Sequence, residues 1–142
     1  MKILITKLSD EEHKLRVERG DGSADEAVLN SRSFLRHDLA HLAVELEVPL
    51  KGGFWGSVAG GNQLDGSDFG ADIGVAEKLS GPVQTLMRTE ADVDSYEKVL
   101  QYHVPQLASR DMAQRICERI RQLRGHWKAT PFGATMELEW QE

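Results

Sequence analysis

A chain of 142 residues with 40% apolar and 28% charged residues suits one domain with its own core and excludes disordered and fibrous classes. The lone Cys117 rules out an intrachain disulfide, the opening MKILITKLSDEEHK is too short in apolar residues for a secretion signal, and no run is long enough for a membrane span. The net charge of −6 argues against general nucleic-acid binding, so the expectation is a cytoplasmic, single-domain protein over 1–142 with no membrane partner.

Residues 2–8, KILITKL, read as a strand, and 13–19, HKLRVER, alternate with Leu15 and Val17 on one face. GDGS at 20–23 is turn chemistry, and DEAVLN gives a third short strand, so the N-terminus predicts an antiparallel meander. The Arg19-Gly20-Asp21 tripeptide also spells an adhesion motif, but here it falls on the hairpin turn. A helix follows from Phe34 to Val48, with Ser31 or Ser33 as its N-cap and Pro49 as its stop. A short helix over Phe54–Ala59 is expected next, then an acidic glycine-rich loop to about Asp72 and a helix over Ile73–Leu79. Gly81-Pro82 breaks the pattern and opens another helix. DSYE at 94–97 resembles a capping box for a helix ending at His103, and an arginine-rich helix spans Arg110–Arg124 with Gly125 as its stop. HWKATPFGATMELEW then reads as a hairpin whose last strand returns to the N-terminal sheet. The sum is an α+β fold: an antiparallel sheet of four or five strands, built from the N-terminal meander and the C-terminal hairpin, packed against three to five helices.

The stretch FLRHDLAHLAVELE carries the chemistry. On a helical wheel Leu35, Leu39, Leu42 and Leu46 form the core face, and Arg36, Ala40 and Glu47 the wet face. The remaining arc mixes Phe34, Val44 and Val48 with His37, Asp38, His41 and Glu45, which suits the wall of a partly buried cleft. Histidines four apart project from one face and can share a divalent ion, here zinc, iron or manganese. Glu45 lies about 12 Å along the axis from His37, so it serves as a third ligand only with distortion and otherwise orients His41. Asp38 is the candidate base or orienter, and His13, on the parity of Leu15 and Val17, points inward as an outside contributor, with His103 and His126 weaker ones.

The pattern His37-Asp38-x-x-His41 resembles the H-E-x-x-H helix of zinc peptidases, which implies a metal site with hydrolytic chemistry. It departs from that motif in having an aspartate, one methylene shorter, and a glutamate at position 47 where a third histidine would stand. The His37-Asp38 pair also resembles the HD-domain phosphohydrolases, a likeness of two residues only, because that all-helical family places its upstream histidine on a helix and His13 falls on a strand. More broadly, HDLAHLAVELEVPLKGGFWGSVAGG resembles a segment of small bacterial proteins described only as uncharacterised, with an H-D-x-x-H-x-x-x-E helix and a G-F-[YW]-G stretch. That resemblance implies a bacterial source and a shared fold, and no activity.

In KGGFWGSVAGGNQLDGSDFG neither the Walker pattern nor G-x-G-x-x-G occurs, so its glycines point to close packing, with Phe54 and Trp55 as anchors of the opposite cleft wall. Residues Arg110 to Lys128 hold six bases and two acids, but the arginines spread around the wet face of the helix. No nucleophile signature appears, and Cys117 reads as a packed thiol. Three functions stand open: a divalent-metal site on His37, His41 and Glu45, hydrolytic on a small-molecule substrate of unknown identity; a non-catalytic binding module, homodimer or protein-partner surface, contacting through the cleft and Trp55, in which the His/Asp/Glu cluster is a structural polar network; and an anion surface on the arginine-rich helix.

Overall fold

The computed structural model describes residues 1–50, 52–64, 69–84 and 90–141, the last range with the backbone only of 90 and 91. Four strands form one antiparallel sheet in the order β3-β2-β1-β4. They are β1 (Lys2–Lys7), β2 (Glu12–Glu18), β3 (Ala24–Asn30) and β4 (Thr135–Glu139). Alternation decides the register. Ile3 faces Val17 and Ile5 faces Leu15 across the first pair, and Ile5 faces Met136 across the last. All five are buried, while Lys2, Lys14, Arg16 and Glu137 stay on the outer face and form cross-strand ion pairs there. At the β2–β3 turn Asp21 accepts hydrogen bonds from Ser23, and Gly22 takes φ +87°, a conformation that favours glycine. The Arg19 guanidinium of the adhesion-like tripeptide is engaged inside the fold, donating to the carbonyls of Val58 at 2.6 Å and Asn62 at 2.7 Å.

Five α-helices accompany the sheet among the described residues: α1 (Arg36–Glu45), α2 (Phe54–Ala59), α3 (Ile73–Val83), α4 (Glu90–His103) and α5 (Arg110–Ala129). A π-helical turn, Ser31–Leu35, leads from β3 into α1. Its cap is Asn30, whose side-chain oxygen accepts from the backbone of Arg32 and Ser33, and not either serine. The α1 helix touches α2, α3 and α5, so it is the centre of the molecule. That position covers most of its wet face: Ala40 is fully buried and Glu47 beyond its end is taken by Arg115 and Arg119, while Arg36 stays exposed.

Three boundaries differ from the sequence expectation, the first at α4, which already runs from Glu90, so DSYE at 94–97 lies inside the helix and not at its start. Gly81-Pro82 does not break α3, which runs on through Pro82 to end at Val83. A helix continuing past Pro82 lies partly outside the described residues, as does most of the acidic stretch at 65–68. The C-terminal hairpin does not form. The residues His126–Ala129 extend α5 past Gly125, and β4 is a single strand paired with β1. Tertiary contacts hold that extra turn: Lys7 Nζ donates to the Trp127 carbonyl at 2.6 Å and lies 4.6 Å from its ring centre. The hydroxyl of Thr130 then closes the helix on the His126 carbonyl, ahead of Pro131.

Candidate metal centre

The centre is built on α1 by local geometry. His37 and His41, one turn apart, bring their rings to 4.4 Å between centres. Each ring is held at its Nδ1 by a carboxylate. His37 Nδ1 lies 3.1 Å from Asp38 Oδ1, and His41 Nδ1 lies 2.9 Å from Glu45 Oε2. Both carboxylates belong to buried residues.

The Glu45 carboxylate does a second job. It accepts the backbone N–H of Phe54 and of Trp55, both at 3.0 Å, and of Gly56 at 3.4 Å, so it satisfies the orphan donors at the start of α2. Gly53 is required beside it, since a Cβ there would run into the Glu45 carboxylate. Among so many donors Glu45 acts as an acceptor, so His41 meets it with Nδ1–H, and in a neutral imidazole the Nε2 is then a lone pair.

Both Nε2 atoms turn to one residue of α3. Glu77 Oε1 lies 3.4 Å from His37 Nε2 and 3.3 Å from His41 Nε2. The His41 contact is off the line that a hydrogen bond needs, so this fully buried nitrogen makes none. Ligand atoms of His37, His41 and Glu77 lie within 4.8 Å of one another, close enough to hold a metal ion. The Glu77 side chain is 52% exposed and that of His37 32%, so the group opens toward solvent on one side. On the other side Phe54 packs on both rings, 6.0 Å from His37 and 5.7 Å from His41, and is backed by Phe69.

Charge is out of balance in this group. Asp38, Glu45 and Glu77 form ion pairs with histidines alone, among the described residues. Three carboxylates facing two neutral imidazoles leave a deficit of positive charge in a half-buried place. The His37 imidazole is raised above its ordinary 6.5, chiefly by its hydrogen bond to Asp38, with burial opposing.

The predicted residues therefore divide. His37 and His41 come together as expected. Glu45 and Asp38 sit behind the rings on Nδ1, the place of orienting groups and not of a third ligand or a base. Glu77 takes the third position. Its sequence signal was slight: an acid beside the buried stripe Ala76–Leu79–Ser80–Val83 of a helix forty residues from His37. Trp55 is wholly buried, with its indole N–H donating to the Asp38 carbonyl at 3.0 Å, so it is core and presents no contact surface. His13 is also wholly buried but stands apart, its Nδ1 2.9 Å from Ser31 Oγ and its ring edge-on to Trp127. Burial lowers its pKa, and the nearby charge of Asp38 pulls the other way. His103 and His126 take no part in the group.

The arginines of α5 are engaged in the fold: Arg115 and Arg119 hold Glu47, Arg110 holds Asp94 and Glu97, and Arg121 holds Glu118. Burial pushes the Cys117 thiol up to about 11, well away from a reactive thiolate. No helix among the described residues is long and apolar enough to cross a membrane. No protein-family model, curated protein or solved structure matches the chain.

Proposed function

We propose that this protein binds one divalent metal ion through His37 Nε2, His41 Nε2 and Glu77, and that the centre is hydrolytic. The observation that carries the reading is the convergence of both Nε2 atoms on one Glu77 oxygen while both Nδ1 atoms are held by carboxylates. An imidazole whose Nδ1–H is donated offers a lone pair at Nε2, and a lone pair facing a carboxylate oxygen needs a cation between them. A divalent ion also offsets most of the three-carboxylate charge.

Two imidazoles and one carboxylate suit zinc, iron or manganese. Three protein ligands leave coordination positions for water and substrate, and an ion held in that way makes water acidic enough for hydrolysis near neutral pH. The chain's own residues do the rest: Asp38 and Glu45 hold the rings, Phe54 shields the inner side, and the half-exposed Glu77 leaves the outer side accessible.

The second reading is a polar network in which protons on the histidines supply the positive charge. The raised pKa of His37 favours it. Elemental analysis of untagged, chelator-washed and metal-reloaded protein separates the two. About one equivalent of metal in the wild type, absent in His37→Ala and Glu77→Ala, supports the metal centre. Metal-free protein after reloading overturns it and leaves the network.

A further inference from the structure

A second concentration of charge lies on a different face of α1. A cavity of about 540 Å³ is lined by Arg32, Arg36 and Arg124, with Ser31, Trp127 and one acid, Asp10, also at its wall. It stands where the π-helical turn meets the end of α5. In a chain of net charge −6, three guanidinium groups against one carboxylate is a local reversal of sign.

Folding engages Arg124 but does not account for Arg36, and it holds Arg32 only through a solvent-exposed pair with Glu11. Arg32 and Arg36 stand four apart in the first turns of the helical run capped by Asn30. Like charges at that spacing repel, and cations at a helix start oppose its dipole. Arg36 makes no ion pair with any described residue, and the one acid near Arg32 is Glu11 at 4.0 Å, with both side chains largely in water. By contrast, Arg110, Arg115, Arg119 and Arg121 all pair with acids. Arg124, across the cavity, is held in place by the Gln84 carbonyl at 2.6 Å.

The wall behind the arginines is rigid. Ser31 and Trp127 both rest on the buried His13, and Lys7 pins Trp127 from the other side. Such a wall keeps the cavity open for a ligand without a large ordering cost.

We infer that this cavity binds a small phosphorylated molecule, with Arg32 and Arg36 as forked donors to its phosphate and Arg124 closing the far side. Planar guanidinium groups match phosphate oxygens two at a time. A single concave cluster fits one compact anion, whereas a nucleic-acid surface needs a run of free cations along the molecule. The site is independent of the metal centre, since Leu35, Arg36 and Leu39 line it and the histidines do not.

The test is calorimetric titration of chelator-washed protein with pyrophosphate. The expected result is saturable one-to-one binding, weakened about tenfold or more by Arg36→Gln and lost in the Arg32→Gln, Arg36→Gln double variant. Both positions are exposed, so the variants keep the fold, which circular dichroism verifies. Glu77→Ala and Arg121→Gln should bind as the wild type does. No saturable binding, binding retained in the double variant, equal weakening by Arg121→Gln, or loss in Glu77→Ala would each overturn the proposal. The last would place the anion at the metal centre.

Discussion

His41 and Glu45 are bonded where neither meets water: Nδ1 to Oε2 is 2.9 Å, and both side chains are fully buried. This one contact links three levels of the structure. It sets which nitrogen of His41 carries the proton, it ties α1 to the first turn of α2, and it aims Nε2 at Glu77.

Removing Glu45 should therefore damage the fold before it touches any metal. Glu45→Ala strands the N–H groups of Phe54 and Trp55 and the Nδ1–H of His41 in the interior. We expect a loss of about 3–5 kcal/mol in urea unfolding of metal-free protein. Glu45→Gln keeps one acceptor oxygen and should lose less. A change under about 1 kcal/mol for Glu45→Ala would contradict the role given to this carboxylate.

Glu77 should behave in the opposite way. Its side chain is 52% exposed and reaches from α3 to α1 through the histidines. Glu77→Ala should alter the stability of metal-free protein by less than about 1 kcal/mol. Metal retention should fall by about a hundredfold or more, read by competition with a chromophoric chelator. Undiminished affinity would remove Glu77 from the ligand set.

Two glycines give a matched pair. A Cβ at Gly53 meets the Glu45 carboxylate, whereas one at Gly74, inside α3, meets nothing within 4 Å. Gly53→Ala should cost about 1–3 kcal/mol and weaken metal binding by displacing Glu45. Gly74→Ala should stabilise by about 0.4–1 kcal/mol, because the unfolded chain loses freedom. Thermal unfolding of both variants checks the pair, and equal melting temperatures would refute it.

Acid should weaken the protein through His13. Its folded pKa lies below 6.5, so between that folded value and 6.5 the unfolded chain binds the proton more readily. The contribution of neutral His13 is present above 6.5, is lost as pH falls toward the folded value, and changes no further below it. His13→Gln should flatten this limb of the stability curve, which has a limiting slope of about 1.4 kcal/mol per pH unit for one proton. Denaturant titrations in chelator across that range would show it, and an unchanged slope would exclude His13.

Much of the fold could be read along the chain because its signals are local. The meander follows from alternation in KILITKL and HKLRVER and from the Gly-Asp-Gly turn that leads on into DEAVLN, and the pairing of the last strand with β1 agrees with the expected return to the sheet. The His37–His41 pair is equally local, since helix geometry alone puts residues four apart on one face.

Other features depended on which surfaces meet. Ala40 reads as solvated until α1 is surrounded by three helices. His126–Ala129 reads as strand until Lys7 clasps Trp127 and lengthens α5. Glu45 reads as a ligand until α2 presents N–H groups that claim its oxygens. Glu77 acquires its meaning only because α3 lies on α1, forty residues from His37. Backbone periodicity encodes which residues share a face. The partner of a face, and so the third corner of the candidate centre, arises from long-range packing that no single segment encodes.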